Sequence, residues 1–134
     1  MQAEILELSR YRTEKARECL ADSKAAFEEG RWATSINRSY YAMFHMTRAL
    51  LALDGFDSKK HSTIIGYFNQ NYIATGKIDV VYNKMLSNAF QVRNQSDYND
   101  FYIVSRDDAK KQLDHAISFV DVMNRYIQEV TEIE

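Results

Sequence analysis

The sequence predicts an all-α fold, an up-and-down antiparallel bundle of four to five helices, and three observations carry that prediction. Proline is absent and only four glycines occur in 134 residues, so turn-forming and helix-breaking residues are both scarce. Apolar side chains recur at three- and four-residue steps along most of the chain, and no alternating strand pattern competes over a useful length. Three of the glycines, Gly30, Gly55 and Gly76, each follow one such stretch, where a helix C-terminal cap calls for positive φ.

The first helix is expected from about Ala3 or Ser9 to Glu29, with a thin apolar stripe of Ala16, Leu20, Ser23 and Phe27. The second starts near Trp32 and ends near Asp54. Its stripe is strong: Ile36, Tyr40, Met43, Phe44, Thr47, Leu50 and Leu51. The third covers about His61 to Thr75, with Ile64, Ile65, Phe68 and Tyr72 on one side. Gly66 lies inside it, at a cost of about 1 kcal/mol against alanine, and is expected to let another helix approach closely. The fourth runs from about Asp79 to Tyr98 with Val81, Met85, Leu86, Ala89 and Phe90 inward. The fifth has the clearest start, because Ser105 followed by Asp108 forms a capping box and Asp107 and Asp108 complement the helix dipole. Its stripe is Ala109, Leu113, Ala116, Ile117, Val120, Met123 and Ile127. Short connections between these helices imply antiparallel neighbours.

The length is that of one domain spanning residues 1–134. A 46% apolar and 27% charged composition suits a packed core with a solvated surface and argues against disorder. No apolar run approaches a membrane span. The opening residues MQAEILELSRYRTEK include Glu4 and Glu7 and no apolar block, unlike a secretory signal. Cys19 stands alone, so no internal disulfide forms, and a cytoplasmic location is expected. The net charge of −2 excludes a strongly basic, tail-driven nucleic-acid binder. The charge is segregated, however. Residues 31–93 hold 8 basic and 3 acidic side chains, whereas residues 94–134 hold 4 basic and 9 acidic. The middle can face an anion, an acidic partner or the acidic last third.

Enzyme signatures are sparse. The chain has no glycine-rich phosphate loop and no His-Glu-x-x-His, and no glutamate has a histidine three residues later, which excludes a di-iron bundle. His45, His61 and His115 fall on three different expected helices without metal-ligand spacing, so no metal and no cofactor is expected. Two blocks stand out instead. In NRSYYAMFHMTRALL, residues 37–51, Asn37, Arg38, Tyr41, His45 and Arg48 follow helical steps beside the apolar stripe. Such a helix edge holds either a buried polar network or a surface facing a ligand or a second subunit. In QVRNQSDYNDFY, residues 91–102, Arg93 and Asp97 are one turn apart, and Tyr98, Phe101 and Tyr102 follow at the break before the last helix. They form either an ion pair with aromatic plugs or a cleft for a small molecule, a nucleotide or a protein.

The order NRSYYAMFHMTRALL, KKHSTIIGYF, AFQVRNQSDYND and a capped final helix resembles the HEPN family, and more narrowly its small stand-alone members, over about residues 9–130. Those members carry an arginine, two or three spacers and Asp-Tyr at the end of helix four, matched here by Arg93, Asp97 and Tyr98. The resemblance implies a four- or five-helix bundle, a homodimer, and pairing with a minimal nucleotidyltransferase in a toxin–antitoxin-like system. Ribonuclease members place a histidine after the arginine with four to six residues between the two. Here those positions hold Tyr98, Asn99 and Asp100. Arg38 and His45 have the spacing, but mid-helix, where the family has no catalytic motif.

The sequence therefore points to a binding module whose cleft near Arg93 takes a nucleotide, RNA or the partner protein. Arg93, Asp97, Tyr98, Tyr102, Asn37, Arg38, Tyr41 and His45 are the candidate site residues. Tyr98 and Tyr102 are candidate acceptors of a nucleotidyl group. The alternative is a metal-independent ribonuclease in which Arg93 holds the phosphate and another group, such as His45 or Tyr98, handles the proton. A purely structural dimer is the third reading, since nine tyrosines and seven phenylalanines exceed what a small bundle must bury.

Overall fold

The computed structural model describes residues 2–132 and is all-helical among them. Five α-helices follow in order: α1 (Ala3–Glu28), α2 (Trp32–Ala52), α3 (His61–Phe68), α4 (Val80–Tyr98) and α5 (Arg106–Glu132). α2 is the central rod. It packs against α1, α4 and α5, which explains why its buried set includes Ser35, Ser39, Ala42, Met46 and Ala49 beyond the expected stripe. The core gathers Tyr40, Met43, Met46, Leu50 and Leu51 of α2 with Ile64, Phe68, Leu86, Phe119 and Met123.

α1 and α2 approach closely because their shared seam is lined by small residues. Ser9, Ala16, Ser23 and Ala26 are buried on α1, while Leu20 and Phe27 are only half-buried, so the stripe lies one step from the expected one. Buried hydroxyls on this seam are satisfied across it. Ser23 Oγ bonds Ser39 Oγ at 2.7 Å and Ser35 O at 2.8 Å, and Ser9 Oγ donates to Ala49 O at 2.8 Å. The turn joining the two helices is a Schellman cap. Gly30 has φ +76°, its N–H donates to Phe27 O, and Arg31 N–H donates to Ala26 O at 2.8 Å.

Four local expectations are corrected. The third helix does not run regularly to Thr75. It is α-helical to Phe68 and then widens into a π-helical turn over Asn69–Ile73, closed by Ala74 N–H on Asn69 O. In this arrangement Phe68 and Tyr72 are both buried, and the phenols of Tyr72 and Tyr67 donate to Asp54 at 2.8 and 3.2 Å. Gly66 admits no close neighbour, since a Cβ there would meet nothing within 4 Å. Val81 is exposed, and Met85 and Phe90 are only half-buried, because α4 leans mainly on α2 from outside and Leu86 and Ala89 alone reach its deep side. On α5, Ile117 is exposed and Gln112 and Phe119 are buried instead. Ile117 lies about 100° around the helix from Ala116, off the stripe. The capping box is present: Asp108 N–H donates to Ser105 Oγ at 3.0 Å and Ser105 N–H to Asp108 Oδ2 at 3.4 Å. No described helix is long and apolar enough to cross a membrane.

Candidate functional site

The polar edge of α2 meets the end of α4. Helical steps of three and four place Asn37, Arg38, Tyr41 and His45 along that edge, and one turn of α4 places Arg93 above Asp97. Packing α4 on α2 then assembles a network that spans about 60 residues of sequence. Asn37 Nδ2 donates to Asp97 Oδ2 at 3.0 Å, and Asn37 Oδ1 accepts from Arg38 at 2.7 and 3.0 Å. Arg93 Nη2 donates to the Tyr41 hydroxyl at 3.0 Å and lies 3.4 Å from the Tyr98 hydroxyl, while Nη1 donates to Asn94 Oδ1. Arg93 Nε is 2.9 Å from Asp97 Oδ2, yet its N–H is not aimed at that oxygen. The contact is thus an ion pair by proximity. The two side chains are partly shielded, at 12% and 25% exposure.

Tyr41 is the hub. The guanidinium carbons of Arg38 and Arg93 lie 5.2 and 5.1 Å from its ring centre, and the imidazoles of His45 and His61 are each 5.9 Å from it. Arg93 also lies over the rings of Tyr40 at 5.7 Å and Tyr98 at 5.4 Å. A depression of about 240 Å³ beside this network is lined by Ala33, Thr34, Asn37 and Asp97.

Seven of the eight sequence-selected residues therefore share one neighbourhood: Asn37, Arg38, Tyr41, Arg93, Asp97 and Tyr98 by direct bonds or stacking, and His45 through the Tyr41 ring. Tyr102 is half-buried in the α4–α5 connection, and among the described residues its side chain makes no hydrogen bond or ring contact with this group. His45 is held well below its ordinary range, to about 4, first by burial and then by Arg48, Lys15, Arg38 and Arg12. Its Nδ1 is buried without a partner.

Two participants were absent from the sequence-based set. Tyr40 was placed on the apolar stripe, where it is indeed fully buried, but its hydroxyl sits 2.7 Å from His61 Nδ1. Burial pushes the Tyr40 phenol up, and burial together with Arg93 and Arg48 pushes His61 down. His61 opens α3, so no periodicity within one helix could link it to Arg93. Below His45, the Arg48 guanidinium grips Asp57 through two bonds of 2.8 and 3.1 Å, and buried Arg12 adds a third at 3.0 Å. Among the described residues no cluster of three or more His, Cys, Asp or Glu side chains is suited to a metal ion. Chemically, the site offers arginine and imidazole nitrogens around an aromatic platform, with one exposed phenol at its rim.

Comparison with known proteins matches residues 9–126 to the HEPN domain model. A UPF0332 protein of Thermotoga maritima is 31% identical, covering 90% of this chain and 91% of its own length. A UPF0332 protein of Archaeoglobus fulgidus is 38% identical over 81% of this chain and 86% of its own. A Methanocaldococcus jannaschii protein named "Putative toxin MJ0605" is 28% identical, with 87% of each chain covered.

Proposed function

The chain belongs to the HEPN family, and from that membership and the geometry around Arg93 we propose that it is the binding module of a toxin–antitoxin-like pair. Its partner is a minimal nucleotidyltransferase, it works in the cytoplasm, and it acts as a homodimer. The cleft at Arg93 takes a nucleotide, an RNA phosphate or a residue of the partner. The toxin names of two Methanocaldococcus jannaschii relatives support the first part of this reading.

One observation carries the site: Tyr98 is 72% exposed while its hydroxyl stands 3.4 Å from Arg93. A phenol so placed is open to a partner enzyme, and an arginine beside it is suited to the phosphates of an incoming nucleotide. Tyr98 is thus the preferred acceptor of a nucleotidyl group, and Tyr102, whose side chain makes no hydrogen bond or ring contact with the network among the described residues, is the weaker one. The exposed apolar side chains that follow, Phe101 at 93% and Ile103 at 87%, support a protein-docking role for the same end of the bundle.

The test is to purify the chain co-expressed with a minimal nucleotidyltransferase from the same genome and to assay RNA cleavage without added metal. Co-purification with intact RNA is the expected result. Metal-independent cleavage that disappears in Arg93→Ala would instead establish the ribonuclease alternative.

A further inference from the structure

We infer that His61 is a phosphate-binding residue: its Nε2–H donates to an oxygen of a phosphoryl group held by Arg93 beside Tyr41. The inference rests on the reading that the Arg93 cleft takes a nucleotide or RNA phosphate, and it adds the residue that completes that site.

The argument begins with Tyr40. Its side chain is fully buried, and among the described residues its hydroxyl has one hydrogen-bond partner, His61 Nδ1 at 2.7 Å. A buried hydroxyl needs an acceptor for its proton. Among the described residues the only acceptor bonded to it is the imidazole lone pair, so Nδ1 of the neutral ring is unprotonated and the ring proton resides on Nε2. Burial, Arg93 and Arg48 all favour the neutral ring, which keeps this tautomer assignment valid at neutral pH. The ring is fixed as well as polarised, because it stacks on Phe44 with centres 4.1 Å apart and planes 23° from parallel. His61 is half-buried, and its Nε2 is not among the enclosed atoms lacking partners. It is therefore a rigid donor open to the surface.

Placement supplies the rest. His61 and Arg93 each lie 5.7 Å from the Tyr40 ring, and 5.9 and 5.1 Å from the Tyr41 ring. The negative charges bonded into this network and its flank are Asp97, beside Arg93, and Asp57, which two arginines share. Arg93, Arg38, Arg48 and Arg12 outnumber them. A phosphoryl group has several acceptor oxygens and can take one N–H from the guanidinium and one from the imidazole at once.

The test is a histidine 15N–1H long-range correlation spectrum of the whole protein, titrated with ATP and separately with a short single-stranded RNA lacking a terminal phosphate. With three histidines in the chain, loss of one signal set in His61→Gln assigns His61. The expected result is an Nε2–H tautomer in the free protein and a saturable shift of the His61 signals that accompanies a shift of Arg93 Nε. The additive that saturates at lower concentration identifies the phosphate source. Tyr40→Phe should leave the fold intact by circular dichroism, mix the tautomers, and weaken binding by about tenfold or less, the scale of one hydrogen bond. An Nδ1–H tautomer, or a stationary His61 while Arg93 moves, overturns the inference and leaves the cleft reading standing. If neither residue responds to either additive, both fall.

Discussion

At the residue scale, Arg93 holds a position that few substitutions can fill. It pairs with Asp97, donates to the hydroxyls of Tyr41 and Tyr98, and lies over three aromatic rings. Lysine keeps the charge but lacks the planar fork, so Arg93→Lys is expected to fail nearly as fully as Arg93→Ala in partner binding. Asp97→Ala removes the carboxylate beside Arg93, and should lower stability by about 1 kcal/mol in urea unfolding. The Arg93→Ala, Asp97→Ala double variant should lose less than the two single losses summed, which a double-mutant cycle reads directly. His45 gives a pH signature. Its folded value of about 4 lies below the unfolded one, so the unfolded chain takes up the proton first as pH falls. Stability is therefore full above about pH 6.5 and declines toward pH 4, by about 1–2 kcal/mol once solvent screening is allowed for. His61 and His115 shift the same way and add to the slope. Urea titrations at pH 7 and pH 4.5 should show the loss, and His45→Gln should flatten it.

At the element scale, α5 and α2 were the most legible parts of the sequence. The Ser105–Asp108 box marks where α5 begins, and Ser105→Ala should cost about 1 kcal/mol in a chemical unfolding curve. α2 showed its stripe because large apolar residues recur on it, although nothing local revealed that it would be buried on several sides. That burial follows from its central place among α1, α4 and α5. α1 was harder to read. Its seam is made of Ser9, Ala16, Ser23 and Ala26, and small residues carry little hydrophobic signal even where they decide how near two helices come. Replacing Ser39 by valine removes one hydroxyl of the buried serine cluster and adds volume to a tight seam, so a loss of about 1–3 kcal/mol is expected. The π turn at Asn69–Ile73 left no trace in the pattern, since a one-residue widening leaves Phe68 and Tyr72 four apart as in any helix. The site divides the same way. Asn37, Arg38, Tyr41 and His45 were legible as one helix edge, and Arg93 and Asp97 as one turn. The meeting of α2 with α4, and the arrival of His61 from α3, are tertiary events that no single-helix periodicity encodes.

At the scale of the whole molecule, the HEPN bundle places its basic middle and its acidic last third in different parts of the chain, with the Arg93 network where α4 meets α2. Beyond it the end of α4 presents Tyr98 outward, and the α4–α5 connection presents Phe101 and Ile103. If this end is a subunit or partner surface, Phe101→Asp should leave the thermal melting temperature nearly unchanged while shifting sedimentation toward the monomer or abolishing co-purification. The most direct test of the proposed role is calorimetric titration of the proposed partner, a minimal nucleotidyltransferase from the same genome, into the purified chain. The expected result is a saturable complex that weakens at least about tenfold in Arg93→Ala and in Tyr98→Ala. It should be indifferent to Tyr11→Ala, an exposed aromatic on α1. Equal affinity in all three variants, or no complex with the wild-type chain, would contradict the account.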